Sequence, residues 1–182
     1  MTRKNAGFTL TEAITAMMLI GILLSVGVPG LGYLIHKGQV STSVSSLTMA
    51  LATARISAIR SRKPVSVCPT DRQGHCRTDG IWSEGWMVYL DPKGQPQPTD
   101  AEHVLHVFSP IYKKHDLRTS QGRQRVRYQP DGRAGGSNLT FTLCDSSTAL
   151  LLARLTVNNA GRTRIERPTQ TLAEAPCRST LP

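Results

Sequence analysis

The strongest constraint on the fold is an apolar run from Phe8 to Val28 that contains one charged residue, Glu12. As an α-helix, its 21 residues would span about 30 Å, which is the hydrocarbon thickness of a bilayer. Arg3 and Lys4 precede the run and favour a cytoplasmic amino end. We therefore expect residues 8–28 to be a single transmembrane helix, with the rest of the chain across the membrane.

Four cysteines lie beyond this run, and their compartment decides their chemistry. An oxidising space favours disulfides, and the cysteine spacing lacks the short pairs that structural zinc sites use. We predict the pairs Cys68–Cys76 and Cys144–Cys177, although the sequence leaves the other two pairings of these residues open. We expect no metal and no cofactor.

A second helical stretch follows the apolar run. Pro29, between Gly27 and Gly30, should kink or loosen the helix where it leaves the membrane. Beyond it, apolar residues recur in steps of three and four and predict an amphipathic helix over residues 29–63, which Pro64 ends. The apolar stripe consists of Val40, Val44, Leu47, Leu51, Ala54 and Ala58.

After Pro64 the pattern changes to short β-type runs broken by Gly, Pro and Asp, which predicts antiparallel strands joined by hairpins. Residues 158–161, Asn-Asn-Ala-Gly, predict the turn between the last two strands. Residues 64–167 are thus a predicted β-sheet domain, and residues 168–182 a tail tethered by a disulfide. The predicted strands are Val65–Cys68, Gly85–Leu90, His103–Ser109, Arg125–Gln129, Leu139–Cys144, Leu150–Val157 and Arg162–Glu166.

The residues before the apolar run carry a recognisable signal. A secretory signal would place small residues after its apolar stretch, whereas here Gly7 comes before it, in the string Gly-Phe-Thr-Leu-Thr-Glu of residues 7–12. This string resembles the class III signal of type IV prepilins and type II secretion pseudopilins. The resemblance implies that residues 1–7 are a leader removed by prepilin peptidase, that Phe8 is then methylated, and that Glu12 contacts a neighbouring subunit during assembly. The alternative is a plain single-span anchor.

A narrower resemblance comes from the β-domain. The residues that carry it are Val67-Cys68-Pro69, Cys76, Trp82, Gly85-Trp86-Met87-Val88-Tyr89 and Asp91, and they are similar to the FimT and type II secretion H-pseudopilin family. The resemblance implies an α+β, pilin-like fold, in which a long amino-terminal helix packs on a small antiparallel β-sheet domain. It also implies an inner-membrane protein with a periplasmic carboxyl-terminal domain, which later joins other pilins in a pilus or at the cell surface. For Trp82 and Trp86 we favour core packing over base stacking.

Charge indicates the kind of partner. The chain of 182 residues has 22 Lys and Arg against 12 Asp and Glu, a net charge of +10. Residues 113–167 hold eleven of the basic residues and only four acidic ones, and nine of the eleven are Arg. Because the planar guanidinium matches phosphate oxygens, this composition favours a phosphate-bearing partner.

Two arginine groups have a useful spacing. Arg123, Arg125 and Arg127 alternate, so in a strand they would form a stripe with a spacing close to that of successive phosphates. The second group, Gly161-Arg162-Thr163-Arg164, follows the predicted turn, where Gly161 would let the backbone approach a ligand closely. It resembles the DNA-binding motif of FimT minor pilins of natural transformation systems. By that resemblance Arg162 and Arg164 are the principal DNA contacts, with Arg167 and Lys114 as helpers.

Three interpretations therefore stand. The first is a minor pilin that captures extracellular DNA for competence through sequence-independent phosphate contacts. The second is a structural minor pilin or H-pseudopilin that primes filament assembly without DNA, and the third is binding of anionic envelope polymers or lipids. We expect no enzyme, because the sequence has no nucleophile elbow, zinc-protease motif or P-loop.

Overall fold

The structure, a computed structural model, describes residues 9–71, 73–120, 122–136, 138–168 and Cys177, without the side chains of Val26 and residues 28–30. The chain divides into two compact units, Met1–Gln39 and Val40–Pro182. Helix α1 runs from Leu10 to Ser61. Pro29 lies inside α1, so the predicted loosening there does not interrupt the helical backbone.

The first turn of α1 is closed by a capping box. The Thr9 hydroxyl accepts from the Glu12 backbone N–H over 3.3 Å, and the Glu12 carboxylate accepts from the Thr9 N–H over 3.0 Å and from its hydroxyl over 2.8 Å. Such reciprocal bonds satisfy amide groups that a helix start otherwise leaves without partners. Glu12 therefore has a local structural role in the isolated chain.

Apolar side chains of the first unit are largely exposed, among them Leu10, Met17 and Leu23. Among the described residues, we find no helix that is both long enough and apolar enough to cross a membrane. Gly7 and Phe8, the predicted cleavage position, lie outside the described residues.

The second unit contains two four-stranded antiparallel sheets, ordered β3-β2-β1-β5 and β4-β6-β7-β8. A short 3-10 helix, Ala101–His103, precedes β3. The strands are β1 Val65–Pro69, β2 Trp86–Leu90, β3 Val104–Phe108, β4 His115–Thr119, β5 Val126–Tyr128, β6 Leu139–Asp145, β7 Leu151–Val157 and β8 Thr163–Glu166.

The predicted apolar stripe of α1 packs on these sheets. Val44, Leu47, Leu51, Ala54 and Ala58 are each at most 5% exposed and share one core with both sheets, and Val40 packs at its margin. This arrangement confirms the predicted α+β, pilin-like fold. The small residues on the stripe let the helix backbone approach the strands closely.

The predicted strands are all present, with ends that shift by at most one residue, but the sequence does not predict strand β4. Its sequence, His-Asp-Leu-Arg-Thr, has one aliphatic residue, Leu117, so alternation of apolar and polar residues was not visible. The alternation exists because His115 is buried beside Leu117, and its Nδ1 lies 3.3 Å from the Ser43 hydroxyl.

Both predicted disulfides are present. Cys68 bonds to Cys76, and Cys144 bonds to Cys177, with Cα–Cα distances of 5.5 and 5.8 Å. The second bond closes a sequence separation of 33 residues and holds Cys177 against β6.

Strand register defines two ends of the domain. Leu139 pairs with Val157 at one end of β6, and Cys144 pairs with Leu151 at the other. The first end, which we call the turn end, carries the β7–β8 turn, and the opposite end carries the Cys144–Cys177 bond. The seven residues of β6 separate the two ends by about 20 Å.

Candidate functional site

The β7–β8 turn presents the predicted principal arginines. Asn158 and Arg162 exchange two hydrogen bonds, from Asn158 N to Arg162 O over 3.0 Å and from Arg162 N to Asn158 Oδ1 over 2.9 Å. They close the hairpin, so Arg162 directly precedes β8 and Arg164 pairs across the strand with Thr156. Arg162 is exposed, and the Arg164 side chain is 81% exposed.

Within the described residues, Arg164 Nε pairs with Glu166 Oε1 over 3.3 Å. The Glu166 side chain is 47% exposed, so water screens the pair, and such surface pairs contribute at most about 1 kcal/mol. Arg164 can therefore exchange this carboxylate for a phosphate at little cost. Arg167, which follows β8, is also exposed.

Gly161 lies against residues 132–134 of its own chain. Its φ is +73°, and a Cβ there would collide with the carbonyl oxygen of Gly132 and lie 3.2 Å from Tyr128 Cε1. The close approach is thus to the chain's own loop. The Ala134 N–H also donates to Asn159 O over 3.1 Å, so Gly161 lets the turn dock against residues 132–134.

The predicted stripe of Arg125 and Arg127 faces a buried carboxylate. Arg127 Nε donates to Asp91 Oδ2 over 3.0 Å, and its Nη2 donates to Asp91 O over 2.9 Å. Arg125 Nη2 donates to Gly94 O over 2.8 Å, and its Nη1 donates to Gln95 O. The two arginines do lie on one side, and there they hold the loop after β2 in place through hydrogen bonds to their own chain.

Asp91 is the centre of this cluster and is 2% exposed. It also accepts from the Ser66 hydroxyl over 2.7 Å and from Gln95 N over 2.7 Å. The sequence does not predict this role, because Asp91 and Arg127 are 36 residues apart and no spacing links them. Asp91 opens a Pro- and Gly-containing segment, which signals only a turn.

The remaining predicted contacts do not form one group. Arg123 packs at the turn end, where a Cβ on Gly136 would collide with its guanidinium, and burial lowers the pKa of Arg123 from its usual value. Lys114 directly precedes β4, and its carbonyl oxygen accepts a hydrogen bond from Ser146 N. Lys114 thus lies at the end of the sheet opposite the turn end. It therefore lies roughly 20 Å from the turn end.

The tryptophans belong to the core. Trp82 and Trp86 have no exposed surface, and Trp82 meets Phe141 edge-on at a centroid distance of 4.8 Å. This packing confirms the favoured interpretation and leaves neither ring accessible to a nucleobase.

A long helix on two small antiparallel sheets, behind a short amino-terminal signal, defines a filament subunit of the minor pilin and pseudopilin class. The chain belongs to the family described as type II transport protein GspH, whose profile matches residues 43–161. A second profile, the prokaryotic N-terminal methylation motif, matches residues 2–28. No curated protein matches the sequence.

Three solved structures resemble this fold. The type IV minor pilin FimU of Pseudomonas aeruginosa PAO1 aligns in two crystal forms, with TM-scores of 0.58 and 0.55 and identities of 16% and 17%. These alignments cover 75% and 72% of this chain and 98% and 99% of those chains. The minor pseudopilin EpsH from the type 2 secretion system of Vibrio cholerae aligns with a TM-score of 0.46 and 12% identity, over 70% of this chain and 98% of that chain. The FimU alignments support the fold.

Proposed function

We propose that the protein is a minor type IV pilin that binds extracellular DNA at the turn end for uptake in natural transformation. Arg162 and Arg164 are the principal contacts, and Arg167 lies on the chain just beyond them. Binding is to phosphates and is therefore independent of sequence and weakened by salt. With three to five phosphates neutralised, the slope of log affinity against log salt is about −3 to −4.5 on duplex DNA.

The observation that carries this proposal is the contrast in exposure among arginines. Arg125 and Arg127 donate to oxygens around the buried Asp91, whereas Arg162 and Arg164 are exposed on the turn and the edge strand β8, and the Glu166 carboxylate that pairs with Arg164 is itself exposed. Two hydrogen bonds between Asn158 and Arg162 hold the turn, so little conformational freedom is lost when a ligand binds. Arginines with this exposure can meet phosphate oxygens directly.

The test uses the full-length protein in neutral detergent and fluorescence anisotropy with a labelled duplex of about 30 base pairs across a salt series. The variant Arg162→Gln with Arg164→Gln should flatten the salt slope by up to about two units, because two phosphate contacts are lost. Its free energy of unfolding, measured by thermal unfolding, should stay within about 0.5 kcal/mol of the wild-type value, because the side chains are exposed.

A charge-matched control is Lys113→Gln with Arg118→Gln. Lys113 precedes β4 and Arg118 lies on it, at the opposite edge of the same sheet. This control should keep the salt slope of the wild type. Equal affinity in all three proteins would contradict the proposal. Equal loss in both variants would indicate that only net charge matters, as expected of a general polyanion surface.

The amino-terminal segment has its own proposed function. Residues 1–7 form a leader that prepilin peptidase removes, Phe8 becomes the methylated amino terminus, and residues 8–28 anchor the protein in the inner membrane before assembly. Residues 64–167 are then periplasmic, and the exposed apolar side chains of α1 pack against other pilins in the filament. Mass spectrometry of the mature protein should find an N-methylated Phe8; an uncleaved Met1 would contradict this maturation.

A structural minor pilin without DNA binding is the second candidate, because the family match and the amino-terminal motif support both functions equally. The two candidates differ in cells. The Arg162 and Arg164 double variant should lower transformation frequency while the number of pili stays normal. Loss of pili in this variant would favour a function in filament assembly.

A further inference from the structure

The turn end holds a guanidinium that no sequence pattern places there. Arg55, from α1, donates from Nη2 to the carbonyl oxygen of Ala160 in the β7–β8 turn over 3.4 Å. Its Nε is buried and, within the described part of the chain, has no hydrogen-bond partner. Burial raises the pKa of the neighbouring Tyr128 hydroxyl to about 12, against the opposing effect of the Arg55 charge. A positive charge therefore lies directly beneath the turn that carries Arg162.

A second guanidinium reaches the same place from another segment. Arg133 is exposed in the loop that Gly161 contacts, one residue before the Ala134 N–H that donates to Asn159 O. An open cleft of about 290 Å³ lies between this loop and the turn, and its polar lining consists of Gln129, Asp131, Arg133 and Asn159. Its side-chain amides and guanidinium can donate to phosphate oxygens.

The end of α1 completes this surface. A Cβ on Gly132 would lie 2.9 Å from Ile59 Cδ1 and 3.2 Å from Arg55 Nε, so the last turns of the helix border the loop. These turns and the segment after them carry the exposed Arg60, Arg62 and Lys63. Residues 55–63, 129–136 and 158–162 together contain six Lys and Arg and one acidic residue, Asp131.

We propose that these three segments form one composite phosphate-binding surface, in which Arg133 and the basic end of α1 extend the DNA contact of Arg162 across the turn end. The inference rests on the proposed DNA binding and names further residues that take part in it. Arg133 contacts the phosphates next to those held by Arg162. Arg55 is a positioning residue: it holds the turn through Ala160 and raises the positive potential beneath it.

The number of cations at the turn end and their combined potential favour a shared surface. A single hairpin offers two or three arginines, which neutralise few phosphates and give weak binding. The electrostatic potentials of cations on three adjacent segments add. Only one exposed carboxylate lies among these segments, so little negative charge reduces the sum. Asp131 partly opposes this field, but its Oδ1 also accepts from Arg133 N over 2.9 Å and so helps to hold the loop.

The test compares three variants of the full-length protein by duplex-DNA anisotropy across a salt series. Arg133→Gln should lower affinity about three- to tenfold at low salt and reduce the salt slope by about one unit. Arg60→Gln with Arg62→Gln and Lys63→Gln should reduce the slope by one unit or more. The Lys113→Gln and Arg118→Gln protein is the control, and circular dichroism checks that each variant is folded.

The outcomes separate this inference from the proposed function. If Arg162→Gln with Arg164→Gln weakens binding but neither new variant does, DNA binding stands and the composite surface is wrong. If the wild type does not bind DNA at all, both proposals fail. If heparin of equal charge competes as well as duplex DNA and the variants lose both ligands equally, the surface binds polyanions in general, which overturns its assignment as a DNA surface.

Discussion

Arg125 with Arg127 and Arg162 with Arg164 have the same alternating spacing, yet the structure uses the two pairs in opposite ways. The first pair surrounds Asp91, which is 2% exposed, and fixes the loop after β2. The second pair lies on the edge strand β8 and the turn before it, with Arg164 81% exposed. The first pair therefore contributes to folding, whereas the second is available to a ligand.

The difference shows what alternation can predict. It places two side chains on the same side of a strand, but it does not say what covers that side. The segment from Asp91 to Gln95, which follows β2, packs over the first pair. Since a buried carboxylate requires charged or hydrogen-bonding partners, Asp91 determines the role of both arginines.

Removal of the Asp91 carboxylate should have the largest effect on this contrast. Asp91→Ala leaves the Arg127 guanidinium and the Ser66 hydroxyl partly or fully buried without their acceptor. Breaking a buried pair in this way destabilises by about 3 kcal/mol. Urea unfolding monitored by tryptophan fluorescence measures this loss in the free energy of unfolding.

The matched control for Asp91 is Glu102→Ala, which removes an exposed carboxylate and should change stability by less than about 0.5 kcal/mol. The DNA affinity of the folded Asp91→Ala protein should equal that of the wild type. A destabilisation no greater than that of Glu102→Ala would show that the first arginine pair does not support the fold.

A change of intermediate size should follow from Gly161→Ala, which disturbs the second pair through its turn. The positive φ of +73° costs an alanine about 1 kcal/mol, and the collision with the Gly132 carbonyl brings the total to about 2 kcal/mol. Displacement of the turn should also move Arg162 and weaken DNA binding severalfold. Thermal unfolding and anisotropy give the two measurements.

Gly74→Ala is the control for this change, because Gly74 has a similar φ of +85° and a Cβ added there would meet nothing within 4 Å. It should show the backbone cost alone, about 1 kcal/mol, and normal DNA binding. If the two alanine variants were equally stable, the docking of the turn on residues 132–134 would contribute nothing.

The sequence predicts well those features that depend on local periodicity. The stripe from Val44 to Ala58 repeats at helical spacing and is buried. In the strand from Leu151 to Val157, every second residue is buried. The Cys68–Cys76 disulfide is also predicted, because its two cysteines are only eight positions apart. In each case the residues that determine the structure are neighbours in the chain.

The features that the sequence did not predict depend on long-range contacts. Strand β4 is stabilised by its pairing with β6, and Lys114 lies far from the turn end because that pairing runs antiparallel. The contact of Gly161 with Gly132 is not predicted either, because Gly132 is 29 positions earlier in the chain. Composition identified a basic protein, but only the fold shows which basic residues are neighbours.

The smallest effect should come from Glu166→Gln, which removes the carboxylate paired with Arg164. Stability should change by less than about 0.5 kcal/mol, because both side chains are largely exposed and their attraction is screened. DNA affinity at low salt should instead rise about two- to threefold, since a phosphate no longer meets the repulsion of Glu166 or competes with it for Arg164. Glu102→Gln, which removes one negative charge beside β3 in the other sheet, should leave affinity nearly unchanged. Anisotropy across a salt series checks both variants, and weaker binding by Glu166→Gln would mean that the ion pair orients Arg164 for DNA.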